Sequence, residues 1–247
     1  MGYILLLRDL KWMVIRMIKP LITVITPTTG SDGLSKLFDS LDEQSVPWVH
    51  ILLWDDKRED SYLYPDPETM EIKDPYRIEC SKEGCFRYSI VMPGTMVQGK
   101  ACGSALRSVG LMAANTPYVT FADSDVWYEP NHFLSLLEAI QDKQWAYCVR
   151  KIWSPTNGEY IGEDRFESIG DASKLPYNLV DNNSLLVVRK FAASSACIYR
   201  ETVDYNDDRL MYEFLKKYAG KPGETGIATV NQVCPDRLEA MFRKHCS

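Results

Sequence analysis

The feature that most restricts the fold of this sequence is a strand, a helix and a second strand predicted near its amino end. Residues 21–26 form a β-rich apolar run that Pro27 ends, and residues 49–54 form a second such run. Between them, apolar residues recur at helical spacing up to about Gln44. A strand, a helix and a strand with short connections predict a βαβ unit and a parallel sheet.

The same pattern predicts where a ligand would bind. In parallel sheets, ligands lie beyond the carboxyl ends of the strands. Residues 26–29 follow the first strand, and the pair Asp55–Asp56 follows the second. We therefore expect both segments to lie near each other at one rim of the sheet. Residues 57–98 are polar, contain several turn signals and predict a loop.

A third buried strand is predicted at residues 118–122, and Asp123-Ser124-Asp125 follows it directly. Two carboxylates at one strand end repel each other unless a cation or hydrogen-bond donors offset their charge. Their hard oxygen atoms favour Mg²⁺ or Mn²⁺, which also bridge phosphate oxygens. The alternative is a solvated turn, because Asp and Ser are common turn residues. The position after a buried strand favours the cation site.

Composition and charge restrict the kinds of partner. A chain of 247 residues, 45% hydrophobic and 25% charged, suits one sizeable domain. Its net charge of −6 argues against a general nucleic-acid binder, but not against a nucleotide whose phosphates a divalent cation holds. The seven cysteines are scattered and form no CxxC pair. We therefore predict neither a zinc site nor a disulfide framework, and we expect a reducing, cytoplasmic setting.

Residues 1–19 are rich in apolar side chains, but charged residues interrupt them. No uncharged run approaches the roughly 18–20 residues that span a bilayer. A signal peptide fits poorly, because the charges break the apolar stretch. The segment suits either an amphipathic helix in peripheral contact with the inner face of a membrane, or an ordinary packing helix or extension ahead of the domain.

Four segments together resemble glycosyltransferase family 2. Residues 20–28 are similar to its opening strand, and residues 51–56 to its second strand with the terminal acidic pair. Residues 99–114 resemble the helix that precedes its DxD strand. Residues 118–125, with Pro130 soon after, match the DxD segment itself.

The resemblance implies an α/β fold of the GT-A type, the fold of nucleotide-diphospho-sugar transferases, with a mostly parallel central sheet flanked by helices. It implies a single domain over residues 20–247. Residues 20–142 would form the nucleotide-sugar-binding half, and residues 143–247 the acceptor-side half.

The resemblance also implies roles for single residues. Asp55 or Asp56 would accept a hydrogen bond from the nucleobase, residues 26–28 would line the nucleoside, Asp123 would lie near the ribose, and Asp125 would bind a metal ion on the diphosphate. Apart from the resemblance, the helical position of Lys100 and Arg107 favours solvated helix residues, and the alternative is that they offset donor phosphate charge. The predicted nucleotide-binding set is Thr26, Pro27, Thr28, Asp55, Asp56, Lys100, Arg107, Asp123 and Ser124. The predicted metal ligands are Asp125 and Asp123, with Mn²⁺ or Mg²⁺ as the cofactor.

An inverting transferase needs a general base for the acceptor hydroxyl, and the resemblance implies an acidic pair that opens a later helix. The pair Asp207–Asp208 stands just ahead of the strongly helical residues 209–218. We predict Asp208 as the base and keep Asp207 as a second catalytic candidate. The alternative is that both carboxylates only cap the helix. Residues 181–184 are predicted to shape a sugar or acceptor pocket, or to form a turn before a strand.

The predicted function is metal-dependent transfer of a sugar from a nucleoside-diphosphate donor, UDP-linked, to a hydroxyl acceptor with inversion. The expected acceptor is a glycan or a lipid-linked glycan in surface polysaccharide synthesis. Two alternatives stay open: a nucleotidyltransferase of similar architecture, which the lack of a basic residue in residues 28–33 disfavours, and a non-catalytic sugar-nucleotide-binding relative. A P-loop enzyme is excluded, because no GxxxxGK[ST] motif occurs.

Overall fold

The structure is a computed structural model that describes residues 19–56, 82, 84–93, 103–165, 168–169, 179–195 and 207–246. Lys100 and residues 1–18, most of the predicted N-terminal segment, lie outside the described residues. Asp55 and Asp56 are placed by their backbone alone. Within the described part of the chain, every helix is too short or too polar to cross a membrane.

The described chain contains nine strands and six helices. The strands are β1 (Ile22–Thr28), β2 (Trp48–Asp56), β3 (Phe86–Pro93), β4 (Tyr118–Phe121), β5 (Val126–Tyr128), β6 (Trp145–Trp153), β7 (Tyr160–Glu163), β8 (Leu185–Val188) and β9 (Gly223–Val233). The helices are α1 (Leu34–Asp42), α2 (Ser104–Ala113), α3 (His132–Ile140), α4 (Arg189–Ser194), α5 (Asp207–Tyr218) and α6 (Asp236–His245). A 3₁₀ turn, Asn182–Ser184, precedes β8.

All nine strands join one sheet in the order β3-β2-β1-β4-β8-β6-β9-β5, with β7 paired to β6. The first four strands of that order are parallel, as the βαβ pattern predicts. β8 runs antiparallel to both β4 and β6, whereas β6 and β9 pair in parallel. The sheet is therefore parallel around the DxD segment and mixed beyond it, and it continues unbroken from the first half of the chain to the second.

Helices cover both faces of the sheet. α1 and α3 pack on one face through Leu34, Leu37, Leu41, Phe133 and Leu136. α2 and α5 pack on the other through Leu106, Leu111, Met211, Tyr212 and Leu215. Each large apolar side chain buried in this way stabilises the fold by about 1.5–3 kcal/mol. The central strands β1 and β4 are thus enclosed from both sides, which fixes the positions of their carboxyl ends.

β3 is a strand where the polar sequence predicts a loop, so that prediction is wrong for this segment. The usual alternation of buried apolar and exposed polar side chains is reversed in β3, because Phe86 and Tyr88 are exposed whereas Arg87 is buried. The guanidinium of Arg87 lies over the rings of Phe38 and Trp48, 4.1 and 5.2 Å from their centroids. An arginine at the buried position hides the alternation that identifies a half-buried strand.

Two histidines are buried in the core. Nε2 of His50 lies 2.9 Å from the Thr26 hydroxyl, and Arg87 Nε donates to Nδ1 at 3.1 Å, so the ring carries its proton on Nε2. His132 stacks on Tyr128 with ring centroids 4.2 Å apart. Burial and then the Arg87 charge lower the pKa of His50 well below its ordinary value, and burial lowers the pKa of His132 to about 3.

These two histidines should therefore make a contribution to stability that is lost in mild acid. Both folded-state pKa values lie below the unfolded value of about 6.5, so the unfolded chain takes up the protons first. Above about pH 6.5 both rings are neutral in the folded and the unfolded chain, so neither changes stability with pH. Below about pH 6.5, each ring lowers the free energy of unfolding by about 1.4 kcal/mol per pH unit. Urea unfolding between pH 7.5 and pH 5 measures this slope, and the His132→Asn variant should have a shallower one. Equal slopes in variant and parent would contradict this account.

Candidate functional site

The carboxyl ends of β1, β2 and β4 form the predicted rim. β1 and β2 stay in register as far as Thr28 and Trp54, beyond which Asp55–Asp56 complete β2. β4 is the other neighbour of β1 and ends at Phe121, so Asp123 follows at the same edge. The structure therefore brings together, at the level of the backbone, the three strand ends that the sequence predicts to meet.

The loop after β1 folds directly onto the backbone of the DxD segment. Ser31 Oγ donates to the carbonyl oxygen of Ser124 at 3.0 Å. Gly33 lies so close that a Cβ atom there would be 2.6 Å from the same oxygen and 2.9 Å from Cα of Asp125. A side chain at residue 33 would push the loop away from the DxD segment, so this approach requires glycine.

Residues 26–28, the predicted nucleoside-lining loop, are held by their surroundings. Thr26 is fully buried and its hydroxyl contacts His50, so its side chain faces the core. Pro27 packs on Gly103, where φ is 76° and a Cβ atom would lie 2.5 Å from Cβ of Pro27. Thr28 turns its hydroxyl into the loop, where it accepts a backbone N–H at 3.0 Å. These contacts fix the loop against the start of α2.

Asp123 is held by an asparagine and an arginine. Its backbone N–H donates to Oδ1 of Asn183 at 2.6 Å, and Asn183 Nδ2 donates to its Oδ2 at 3.0 Å. Its Oδ1 accepts a hydrogen bond from Nη2 of Arg107. Both carboxylate oxygens are thus engaged by protein donors, which fixes the orientation of Asp123 at the rim.

Asp125 is the exposed carboxylate of the triplet. Its pKa is raised, first because surrounding protein atoms partly remove it from water and second because Asp123 repels its charge. Oxygen donors of this kind fit Mg²⁺ or Mn²⁺. In the described ranges no three metal-binding side chains form a group. An ion at Asp125 would therefore need further oxygen ligands from a bound diphosphate and from water.

Arg107 is buried, with 3% of its surface exposed, so its interpretation as a solvated helix residue is wrong. Its Nη2 donates to Asp123 and its Nη1 donates to Oδ2 of Asp207 at 2.6 Å. Ser104 Oγ donates to the same Oδ2 at 3.1 Å. We call this arrangement the Arg107 bridge, because one guanidinium joins the DxD segment to the first residue of α5.

Asp208, the predicted base, lies half-buried in the first turn of α5. Its Oδ1 accepts the backbone N–H of Asn182 at 3.2 Å. Its pKa is raised well above the ordinary value, because burial and the nearby charges of Asp181 and Asp207 disfavour the ionised form, against partial opposition from Arg107. A carboxyl group with a raised pKa is suited to accept a proton close to neutral pH.

A second buried arginine, Arg150 in β6, extends the network. Its Nη2 donates to Asp164 at 2.6 Å and its Nη1 to Asp181 at 2.7 Å. Oδ1 of Asp181 accepts both the backbone N–H and the Nδ2 hydrogen of Asn183, each at 2.8 Å. Asn183 thereby links Asp181 to Asp123, and the hydrogen bonds run without interruption from β6 to the DxD segment.

Negative charge exceeds positive charge in this network. The charged side chains in and beside the network, within the described ranges, are two arginines, Arg107 and Arg150, and six aspartates, Asp123, Asp125, Asp164, Asp181, Asp207 and Asp208. Burial is the largest cause of the raised pKa of Asp181, as it is for Asp125 and Asp208. A divalent cation would be the largest favourable charge that such a site can receive.

Most of the residues that fix the carboxylates at the rim are not among the site residues predicted from the sequence. Asn183 lies in residues 181–184, for which the sequence permits either a pocket or a turn. It is part of a 3₁₀ turn, and its side chain is hydrogen-bonded to Asp123. Arg150 has a signal in the sequence: it is a charge inside the apolar run of β6, and buried charges require partners. Ser104 carries no such signal.

The Arg107 bridge predicts a specific order of stabilities. In the Arg107→Gln variant, Asp207 would stay buried without its cation, and the loss of one partner of a buried pair costs about 3–5 kcal/mol. Adding Asp207→Asn removes the uncompensated charge, so the double variant should recover at least about 1 kcal/mol. Urea denaturation of the parent and both variants measures this. A double variant less stable than Arg107→Gln would show that the two residues act independently.

Residues 98–206 match the family model described as Glycosyl transferase family 2. Over 216 residues the chain is 26% identical to Glycosyltransferase GlyA of Streptococcus pneumoniae serotype 4, in an alignment that covers 83% of this chain and 27% of GlyA. These matches confirm the resemblance predicted from the sequence, and they support the prediction of a transferase enzyme. The chain spans about a quarter of the length of GlyA.

Solved structures of S. aureus TarS are similar in fold. The chain matches TarS 1–349 with a TM-score of 0.59 at 19% identity, covering 90% of this chain and 63% of that one. The structure of TarS 1–349 with UDP gives the same values, and the structure with UDP-GlcNAc gives a TM-score of 0.57 over 87% of this chain and 59% of that one. At this level of identity the likeness shows the fold, and the predicted GT-A architecture is confirmed.

Proposed function

We propose that this chain, a member of glycosyltransferase family 2 with the GT-A fold, transfers a sugar from a nucleoside-diphosphate donor to a hydroxyl acceptor with inversion. The observation that carries the proposal is the Arg107 bridge, in which Asp123 and Asp207 share one guanidinium. Donor-side carboxylates and Asp208 would then face the same reacting bond, as a transfer between two bound substrates requires.

On the donor side, we propose that Asp125 holds Mn²⁺ or Mg²⁺ together with the diphosphate. When bound, the ion stabilises the negative charge that develops on the departing nucleoside diphosphate. The exposure of Asp125 supports this role, because it leaves the carboxylate accessible, and a cation there would offset the repulsion from Asp123 that contributes to its raised pKa. Asp123 would orient the ribose and contribute to the metal site from its fixed position.

The nucleoside would lie against residues 26–28, Ser124 and the pair Asp55–Asp56, with Arg107 and Lys100 balancing phosphate charge. Arg107 would act from behind Asp123, since its guanidinium is buried. TarS 1–349 was solved with UDP and with UDP-GlcNAc, which supports a uridine-linked donor for this chain.

On the acceptor side, Asp208 would act as the general base. The acceptor oxygen forms a bond to the anomeric carbon while the bond from that carbon to the phosphate oxygen breaks. The electron pair of the broken bond leaves with the diphosphate, and the hydroxyl proton passes to Asp208. A single displacement of this kind inverts the anomeric configuration. Asp207, held by Arg107 and Ser104, would orient the turn that carries the base.

The family resemblance is the basis for the proposed acceptor, a glycan or lipid-linked glycan in surface polysaccharide synthesis. Contact of residues 1–19 with the inner face of a membrane and the cytoplasmic setting remain predictions from the sequence.

A panel of donors tests the proposal. The protein is incubated with UDP-, GDP- and dTDP-linked sugars, with Mn²⁺ or with EDTA, and released nucleoside diphosphate is measured. We expect metal-dependent release from a uridine-linked donor. Binding of donors without any release would support the non-catalytic relative. Release of pyrophosphate from a nucleoside triphosphate and a sugar phosphate would support the nucleotidyltransferase. Either of these outcomes overturns the proposal.

A further inference from the structure

An open-sided cavity of about 200 Å³ adjoins Asp208. Its other polar lining comes from Asp181, Arg150 and Gln232. The rest of its lining is apolar, and much of that comes from α6 and the residues just before it. The cavity thus has two unlike walls, with the predicted base on the polar one.

By formal charge, carboxyl groups outnumber cations at the polar wall. Arg150 is bound by Asp164 and by Asp181, and its Nη1 also donates to Oε1 of Gln232 at 2.7 Å. With Asp208, three carboxylates lie at or next to this wall against one guanidinium. An anionic ligand would be repelled here. A hydroxyl group would be accepted, because it can donate to a carboxylate and accept from the amide NH₂ of Gln232.

The apolar wall is preformed. Phe242 of α6 is 2% exposed and packs with Ile152 and Cys234 in one cluster. Leu238, one turn earlier in α6, is half-buried and packs against the same cluster. A ligand that fits between these walls has hydroxyl groups on one side and C–H groups on the other. The volume is below the roughly 300–1,000 Å³ of pockets for drug-sized ligands, so it suits one ring.

We infer that this cavity is the acceptor site and that it receives a single uncharged sugar ring, with one hydroxyl at Asp208 and a C–H face on the α6 wall. The inference rests on the proposed function, in which Asp208 takes the acceptor proton. It adds a specificity to that function: the carboxylates of the polar wall select against acidic sugars, and α6 shapes the acceptor end of the site.

The charge selection is tested with matched acceptors. Wild-type protein, the best donor from the panel and Mn²⁺ are supplied with methyl hexosides or with the corresponding methyl hexuronides. We expect transfer to a hexoside to exceed transfer to its hexuronide by at least about 10-fold in kcat/KM, because an added carboxylate would meet the like charges of the wall. Equal or faster transfer to the hexuronides would overturn the inference.

The location is tested by filling the cavity. Leu238→Trp should lower kcat/KM for the hexoside by at least about 10-fold, while donor affinity measured by calorimetry is retained. Ala240→Trp is the matched control, because Ala240 is exposed on the same helix and lies outside the cavity lining; it should behave as the parent. Normal transfer by Leu238→Trp, or equal losses in both variants, would overturn the location.

A third variant covers the case in which Leu238→Trp does not fold. Leu238→Lys adds a cation at the half-buried rim of the cavity and should raise hexuronide transfer relative to hexoside transfer by at least about 10-fold. An unchanged ratio would overturn the inference. The two proposals fail in different ways. If no donor releases a nucleotide, the proposed function fails. If nucleotide is released and none of these Leu238 variants alters transfer, the proposed function stands and only the acceptor site is overturned.

Discussion

Replacing Asp208 by Asn is expected to lower the rate of transfer by about 10²–10⁴-fold, the usual contribution of a general base, with little change in donor affinity. The amide keeps the shape of the carboxylate but cannot take the acceptor proton. Transfer is measured as glycosylated product at saturating donor, and donor affinity by calorimetry with the uridine-linked sugar. A matched control is Asp236→Asn, which neutralises an exposed aspartate in the first turn of α6 and should leave transfer unchanged.

The same variant should be at least as stable as the parent at neutral pH. Because the pKa of Asp208 is raised in the folded state, ionising this side chain destabilises the fold. The free energy of unfolding therefore falls as pH rises from the unfolded-state pKa to the folded-state pKa, and it stays lower at higher pH. The uncharged amide of the variant would remove that cost. A loss of transfer together with a lower urea midpoint would indicate that Asp208 serves folding, as the helix-capping alternative holds, and not proton transfer.

Replacing Asp125 by Ala is expected to weaken metal-dependent donor binding by at least about 100-fold, since even the partners of metal ligands contribute about 10–100-fold to metal affinity. Calorimetry with the uridine-linked donor, in Mn²⁺ and in EDTA, measures the metal-dependent part. The control Asp142→Ala removes a carboxylate whose side chain is 87% exposed in a distant turn, and should have no effect. Unchanged affinity of Asp125→Ala in Mn²⁺ would count against a metal at this residue, and a large loss in EDTA as well would indicate a damaged fold.

The parts of the site that follow strand ends could be predicted from the sequence, because local pattern and parallel topology determine them. Asp123 and Asp125 follow a buried run, and Asp208 opens a helix whose periodicity is plain. The register that brings Asp55–Asp56 to the same edge follows from the βαβ unit. These features depend on contacts between neighbouring elements of the chain.

The contacts that fix these carboxylates depend on residues far apart in the sequence. Arg107 and Asp207 are separated by 100 positions and Asp123 and Asn183 by 60, so no local pattern reports either pairing. A helical arginine is equally compatible with solvent and with a buried ion pair until the element that covers it is known. β9 and α6, which complete the sheet and the cavity wall, are absent from the predicted elements for a related reason. β9 gains its order by pairing with both β5 and β6.

Because Asp123 and Asp207 share one guanidinium, the proposed donor and acceptor sites would be energetically connected. A donor that draws charge away from Asp123 changes how strongly Arg107 attracts Asp207, and with it the electrostatic environment of the adjacent Asp208. Thermodynamic linkage makes such an effect reciprocal, so whatever factor the donor applies to acceptor affinity, the acceptor applies to donor affinity. A coupling that favours the ternary complex over either binary one would keep an activated donor from being lost to water.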